Sequence, residues 1–455
     1  MVKKLLFAVC LLYTSLTYAE TIKTDVLVIG GTASGVAAAI QSARSKVKTL
    51  LIMSKQGVEM EMYVNIPDDI LAKIPTNNII PTILNTNPNL SAGIWGEFRE
   101  RVKAFYKTTP GYDTTYNAPI KFEEYTGAAI LKSIADTVKN LTIKTNTLFT
   151  AIKKDGTGWE VSITVDGKTD FIKAKVVIDA TYRGEAIKKA GLNIPPAFIG
   201  YSDNKDELYR TSIAISDYGH VQNQHRDVGF EFGIIPGYSI PMRYAVISDA
   251  DNLLVTERAL PDPHGGPYLP IQLRIGQGVG CIAAYCAFFK TTTKNLKPRI
   301  IQQELLDFKG ILLPFADIRS DDRYVRAIQQ IGATGLLKGV QKNNELLFMP
   351  DTPVTTAEIK PVLTEIYSRA FLWFDKEKPG EKFTVGNTLS LISEFTLTDP
   401  ETLQVDLQKD WQDKYKFTLA FDKSRPITRL EFAVLVNKFL NPFARKIDLK
   451  GNMIN

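Results

Sequence analysis

Six residues, Gly30-Gly31-Thr32-Ala33-Ser34-Gly35, are spaced to do chemistry on a phosphate. Glycines at the first and last positions let a chain reverse tightly and let the following helix approach a strand. The helix start then presents backbone N–H groups and the positive end of its dipole to an anion. Other candidates are sparser. His264 sits in the loop 259–269 just after Arg258, and reads as a proton-handling group beside an anion contact; the plainer reading makes it a turn residue next to Gly265-Gly266. His220 and His225 could share a metal with Asp217 or Asp227, but the spacing matches no recognised site, and surface histidines are the simpler reading. No metal is expected. Cys281 and Cys286 stand five apart on one expected helix, face different sides of it and read as buried packing residues.

The elements around the glycines give the turn its context. Asp25–Ile29 is an apolar, β-branched run, Val36–Ala43 is small and apolar, and Val47–Met53 is a second buried run. Strand, turn, helix and strand in that order form the βαβ unit that lays a dinucleotide pyrophosphate on a helix N-terminus. Thr32 stands where the second glycine is expected. An acid about 20 residues on usually holds a ribose hydroxyl. Here the second strand ends in Met53-Ser54, and the nearest carboxylates are Glu59 and Glu61.

The chain has 455 residues, enough for two or three cores, and 44% apolar with 23% charged residues marks it as globular. Lys3-Lys4, the apolar run Leu5–Leu16 and Thr17-Tyr18-Ala19 read as a signal peptide cleaved near Ala19, too short to span a bilayer. A secreted or periplasmic protein follows. Losing those two lysines takes the formal charge from +6 to +4, with no long basic block, which argues against nucleic acid as a partner. No later stretch is expected to cross a membrane.

Along the chain, residues 55–89 read as loop. Ser91–Tyr106 reads as an amphipathic helix with Ile94, Trp95, Phe98, Val102 and Phe105 inward and Glu97 and Arg99–Arg101 solvated. Phe122–Val138 reads as a second helix. Leu141–Ala151, Trp159–Val165 and Asp170–Ala174 read as an antiparallel meander, turned by Asp155-Gly156 and Asp166-Gly167. A separate buried strand, 176–180, then ends in Thr181, with Tyr182 and Arg183 as packing or site residues. Residues 192–238 read as an irregular, substrate-side insertion. Ser239–Ile247 and Leu253–Glu257 read as strands, and a helix is expected to start at Gly276.

This order resembles flavin-dependent oxidoreductases of the glutathione-reductase-like fold, and more closely the secreted FAD-dependent oxidoreductase family. The resemblance rests on Gly30–Ala39, Gly93–Arg99, Ile178–Glu185, Ser239–Arg243, Asn252–Arg258 and Gly276–Gly280. It implies an α/β, FAD/NAD(P)-binding Rossmann-like domain over 20–313, with an inserted antiparallel meander and a substrate-side insertion near 192–250. It also implies FAD as cofactor, held by Gly30, Gly31, Thr32, Ala33, Ser34, Gly35, Ala180, Thr181, Gly276, Gln277 and Gly278, with the helix start at Gly276 facing the flavin. The implied activity takes a hydride from a small organic, carbohydrate-related substrate. Three departures stand out: Met53 replaces the family's glutamate, Gln56–Met62 replaces its glycine-rich loop, and Pro267 stands near where an arginine is expected.

Residues 314–455 differ in character. Phe315–Ile318, Tyr324–Ile328, Gly335–Gly339, Phe348–Pro350 and Thr355–Glu358 resemble one S-layer homology repeat, and Pro426–Ala433 the end of a second. Thr355 and Thr428 are expected to cap helices, with Glu358 and Glu431 completing capping boxes. The resemblance implies a mainly helical domain with cell-wall glycan as a partner. The alternative to an enzyme is a catalytically degenerate flavin-fold protein serving as a cell-surface or glycan-binding module.

Overall fold

A computed structural model describes residues 21–54, 57–58, 82–84, 86–196, 198, 204–224, 230–260 and 269–454. The signal peptide, Glu59, Glu61, most of the loop 55–62, Pro267, His225, Asp227 and His264 lie outside the described residues.

Strand β1 (Thr21–Ile29) runs into helix α1 (Ala33–Arg44) and returns as β2 (Thr49–Ile52). A short ribbon of β3 (Thr82–Leu84) and β4 (Ile120–Phe122) brackets α2 (Gly93–Tyr106) and precedes α3 (Glu124–Asp136). Strand β5 (Leu141–Lys144) joins β2 in parallel. The meander follows as β6 (Leu148–Asp155), β7 (Gly158–Val165) and β8 (Lys168–Asp179). Its last strand and the separate strand expected at 176–180 are therefore one continuous element. The first half of β8 pairs with β7, and its second half pairs in parallel with β11 (Leu253–Val255). On its other edge β8 pairs with β1 along nine residues' length, from Thr21↔Phe171 to Ile29↔Asp179.

The sheet order is β5-β2-β1-β8-β7-β6. The chain leaves β1 toward β2 on one side and returns to β8 on the other. A crevice therefore opens beyond the C-terminal ends of β1 and β8, where ligands of parallel sheets bind.

Residues 192–238 are more regular than their composition suggests. After α4 (Glu185–Lys189) and α5 (Lys205–Arg210), they form most of a long hairpin of β9 (Ser212–Gln224) and β10 (Phe230–Pro241). The strand expected at 239–247 stops at Pro241 and continues as a 3-10 turn. Helix α6 (Leu269–Phe288) packs on α1 and is followed by α7 (Pro298–Asp307). Two side chains on α2 depart from expectation. Arg99 is buried, its guanidinium donating to the Tyr116 and Ala118 carbonyls at 2.8 and 2.9 Å, while Phe105 faces solvent. Cys281 and Cys286 are buried and free, with burial pushing both thiols well above their ordinary range.

The C-terminal part contains α8 (Val325–Thr334), a hairpin of β12 (Val340–Lys342) and β13 (Glu345–Leu347), then α9 (Thr356–Ile366), α10 (Ala370–Glu377), α11 (Val385–Thr396), α12 (Pro400–Asp413) and α13 (Arg429–Phe439). Asp317 accepts from the Phe348 and Met349 N–H groups at 2.7 Å each, tying the segment before α8 to the segment after β13. The structure contains three equivalent units where two are legible in the sequence. Helices α9, α11 and α13 are capped by Thr355, Thr384 and Thr428. Just before the caps, Val354 N–H donates to Ile427 C=O, Ile427 N–H to Phe383 C=O, and Phe383 N–H to Val354 C=O, at 3.0, 2.9 and 2.9 Å. This closed triangle of peptides is fully buried, so each of the six groups is satisfied without water.

The two parts share one core. Arg210, at the foot of the β9–β10 hairpin, donates to Thr334 C=O at 3.1 Å, to Gly451 C=O at 3.1 Å and to the Glu365 carboxylate at 2.8 and 2.5 Å. Among the described residues, no helix is long and apolar enough to cross a membrane.

Thr428 carries a full capping box with Glu431. Thr428→Ala is expected to lower unfolding stability by about 1 kcal/mol, measured by denaturant titration. No change would remove the cap from the account of how the three units are held.

Candidate functional site: the glycine-turn cavity

The crevice above β1 and β8 holds a cavity of about 410 Å³. Gly30, Gly31 and Thr32 contribute from the glycine turn, Thr147–Thr150 from the start of β6, and Thr181, Tyr182, Glu185 and Lys189 from the segment after β8. The turn is fixed by backbone contact. Gly30 has φ of +117°, and a Cβ on it would stand 2.5 Å from the Ala180 carbonyl oxygen. Thr32 does what a second glycine could not. Its Oγ1 donates to Ala180 C=O at 3.1 Å and accepts from Gly35 N–H at 3.1 Å, capping α1. The helix start leaves the Ala33 and Ser34 N–H groups without intrahelical acceptors.

The end of β8 is shaped by Asp179, which the sequence reading did not single out. Its fully buried carboxylate accepts from Thr181 N–H (3.0 Å), Thr181 Oγ1 (2.6 Å) and Ile187 N–H (3.0 Å). Burial pushes this carboxyl up, with the three hydrogen bonds opposing. The result is a bend that sets Ala180 and Thr181 on the cavity wall and starts α4.

At the ribose-acid position the structure explains the missing carboxylate. Met53 is buried, its sulfur filling the space that a side chain on Gly31 would need. Ser54 lines the cavity in its place, and the carboxylate among the described lining residues is Glu185. Lys189 Nζ donates to Thr150 C=O at 3.1 Å and lies 5.6 Å from the Phe149 ring centre.

The expectation for Gly276, Gln277 and Gly278 is corrected. The helix starts seven residues earlier, at Leu269, so these three sit inside α6 rather than at its N-terminus. Gly276 lies against Ser34 and Ala37, Gly280 against Ala38 and Gln41, and Gly278 against Ile213. The glycines are where α6 runs parallel to α1 at close range. Gln277 is also structural: its Oε1 accepts from Ile94 N–H at 3.1 Å and its Nε2 donates to Gln41 Oε1 at 3.1 Å.

The two extra turns of α6 extend about 10 Å past the first turn of α1. They carry Gln272 toward the buried pair Ser34–Glu257, and Arg274 into an ion pair with Asp217 at 2.7 Å. Burial pushes the Asp217 carboxyl up, while Arg274 and Arg99 pull it down. Arg258 lies beside Gly184 and Ile194 rather than on the cavity wall, its Nε buried without a hydrogen bond among the described residues. Arg183 is exposed. Among the described residues, no three metal-ligating side chains cluster.

A mixed sheet with a glycine turn at the switch point of its parallel strands defines a nucleotide-binding α/β protein. Residues 25–197 match the family model described as FAD dependent oxidoreductase. On that match the chain is an oxidoreductase that uses FAD. No curated protein matches. Among solved structures, the chain is similar to a flavoprotein/dehydrogenase from Cytophaga hutchinsonii (14% identity, 59% of this chain and 79% of that one, TM-score 0.33). It is also similar to a geranylgeranyl bacteriochlorophyll reductase-like protein from Thermoplasma acidophilum (12% identity, 78% and 99%, TM-score 0.33). A third is p-nitrophenol 4-monooxygenase from Pseudomonas putida (14% identity, 69% and 94%, TM-score 0.32).

The cavity fits the adenosine side of this cofactor. Gly30, Gly31 and Thr32 line it just ahead of the α1 N-terminus, where a pyrophosphate would meet backbone N–H groups, and Phe149 offers an apolar ring at the wall. Gly30→Val should abolish flavin retention, because the added atoms meet Ala180 and the φ is one that branched residues rarely adopt. The check is the flavin absorbance and the released nucleotide of the purified variant. Normal occupancy would refute the placement of the pyrophosphate.

Proposed function

We propose that the protein is a secreted FAD-dependent oxidoreductase that takes a hydride from a small, carbohydrate-related organic substrate. The observation that carries this is the glycine-turn cavity, with its turn held against Ala180 and its helix start facing the phosphate position. The family match over 25–197 supports the class, and Lys3-Lys4 with Leu5–Leu16 and Ala19 supports secretion. Bound FAD supplies the hydride acceptor. The chain's own residues place it: Gly30–Gly35 receive the pyrophosphate, Thr147–Thr150 cover the adenosine side, and Glu185 and Lys189 bring charge to the wall. His264 is the candidate for moving a substrate proton and Arg258 for meeting an anionic group.

The mature protein is expected to begin at Glu20, to carry a flavin absorbance spectrum, and to lose it anaerobically when a sugar substrate is added. N-terminal sequencing, absorbance before and after reconstitution with FAD, and a panel of sugars check this. Absence of flavin after reconstitution would end the oxidoreductase reading.

A second reading concerns the C-terminal part. The ring of three capped units and a groove of about 540 Å³ lined by Lys360, Phe371, Phe374 and Lys378 support a glycan-binding role. Phe371 is 55% exposed, an apolar ring available for stacking on a sugar. The full chain should co-sediment with cell-wall glycan, and Phe371→Ser should reduce the bound fraction several-fold. Failure of the folded wild-type chain to co-sediment would leave the region with a packing role.

A further inference from the structure

Glu185 lines the glycine-turn cavity from the first residue of α4. Its N–H donates to Thr181 Oγ1 at 2.8 Å, while its half-buried carboxylate has no hydrogen-bond or ion-pair partner among the described residues. The backbone that carries it is fixed on both sides. Asp179 accepts from the Thr181 and Ile187 N–H groups at 3.0 Å each, and Gly184 turns the chain between them at a φ of +65°. Lys189, one turn further on, is engaged elsewhere: its Nζ donates to Thr150 C=O at 3.1 Å. At the other end of the same segment, Thr147 N–H donates to Met53 C=O at 2.9 Å. Residues 147–150 therefore bridge the end of β2 and the end of α4. Ser54 lines the cavity from one end of this bridge and Glu185 from the other. At about 410 Å³ the cavity is at the small end of small-molecule sites, so a nucleoside filling it meets both.

A glycine turn of this kind normally works with a carboxylate at the end of the second strand, which holds a ribose hydroxyl. That place is closed here, because Met53 turns inward against Gly31 and Ser54 offers only a hydroxyl. An ionised carboxylate accepts hydrogen bonds and donates none. On an adenosine diphosphate the phosphates give it no donor and repel it, whereas the ribose hydroxyls are donors. Thr181, which holds the Glu185 N–H, follows Ala180, whose carbonyl packs on Gly30. The carboxylate thus stands beside the turn, where the sugar follows the phosphate, and Phe149 is left for the base. We propose that Glu185 holds the ribose hydroxyls in the adenosine half of FAD, the acceptor coming from the start of α4 instead of the end of β2. The proposal rests on reading the cavity as the FAD site. Asp179 and Thr181 are its positioning residues.

The test titrates the full chain, stripped of nucleotide, with ADP and with dideoxy-ADP, which lacks both ribose hydroxyls, by calorimetry. Wild type is expected to bind ADP on the order of tenfold tighter than the dideoxy nucleotide, as a hydrogen bond to a charged group would give. E185Q keeps the volume of the side chain and removes its charge. It should bind ADP on the order of tenfold more weakly than wild type, and dideoxy-ADP no more weakly. FAD, followed by quenching of its fluorescence, should lose affinity as ADP does. A merely structural role for Glu185 would weaken both nucleotides alike. That outcome overturns the proposal and leaves the FAD reading standing, as does a wild type that binds the two nucleotides equally, or a folded E185Q that binds ADP as well as wild type or better. If wild type binds neither FAD nor ADP, both readings fail. Thermal melting checks that each variant is folded. Should E185Q not fold, E185D keeps the charge and draws the carboxylate back by one methylene. Loss of affinity for ADP alone then supports the proposal, and unchanged ADP binding overturns it.

Discussion

The contact between Gly30 and the Ala180 carbonyl is the constraint on which the rest of the site depends. It joins the first turn of the chain to a strand 150 residues later, backbone against backbone. Strands β1 and β8 stay in register up to that point, from Thr21↔Phe171 to Ile29↔Asp179. Because no side chain intervenes, Thr32 can bond the same carbonyl and cap α1 at once. Because β8 is held there, Asp179 can fold the next residues back into α4 and bring Glu185 and Lys189 to the cavity. A larger residue at position 30 would separate the strand ends and loosen every one of these contacts.

Close approach is repeated one layer out. Helices α1 and α6 meet through Ala37, Ala38, Gly276 and Gly280, and dispersion contacts over that short distance replace bulky packing. The price is specificity of register: with Gly276 against Ser34, the position of every residue at the front of α6 is settled. Gln272 and Arg274 then fall on Glu257 and Asp217, both buried carboxylates. The front of α6 thus links the glycine turn to the β9–β10 hairpin by polar contacts inside a core, where partners must be matched.

Much of this was legible in the residues. The strand–turn–helix–strand context located the glycine turn, and both Asp-Gly pairs turn the meander, with Gly156 and Gly167 at positive φ. The strand expected separately at 176–180 continues the last strand of the meander, because β8 changes partner there, from β7 to β11. The helix start expected at Gly276 came with the resemblance at Gly276–Gly280, whereas these glycines serve the close packing of α6 on α1. The better signal was Pro270, in the first turn of α6, where proline belongs. Arg99 looked solvated by its charged neighbours, although backbone carbonyls satisfy it in the core. The middle unit of the C-terminal ring escaped notice because Asn387 fills the capping-box position occupied by an acid elsewhere.

The triangle of peptides formed by Val354, Phe383 and Ile427 bears on the order in which the protein is made. Each member both gives and receives one hydrogen bond, so two members without the third leave a buried donor and a buried acceptor unmet. Ile427 is the last to leave the ribosome, and Gly451, which Arg210 needs, follows it. The foot of the β9–β10 hairpin and the C-terminal ring therefore reach their final form together, only once Gly451 has been synthesised. Until then the segments that will meet remain apart, and each carries a backbone donor or acceptor that only the others can satisfy.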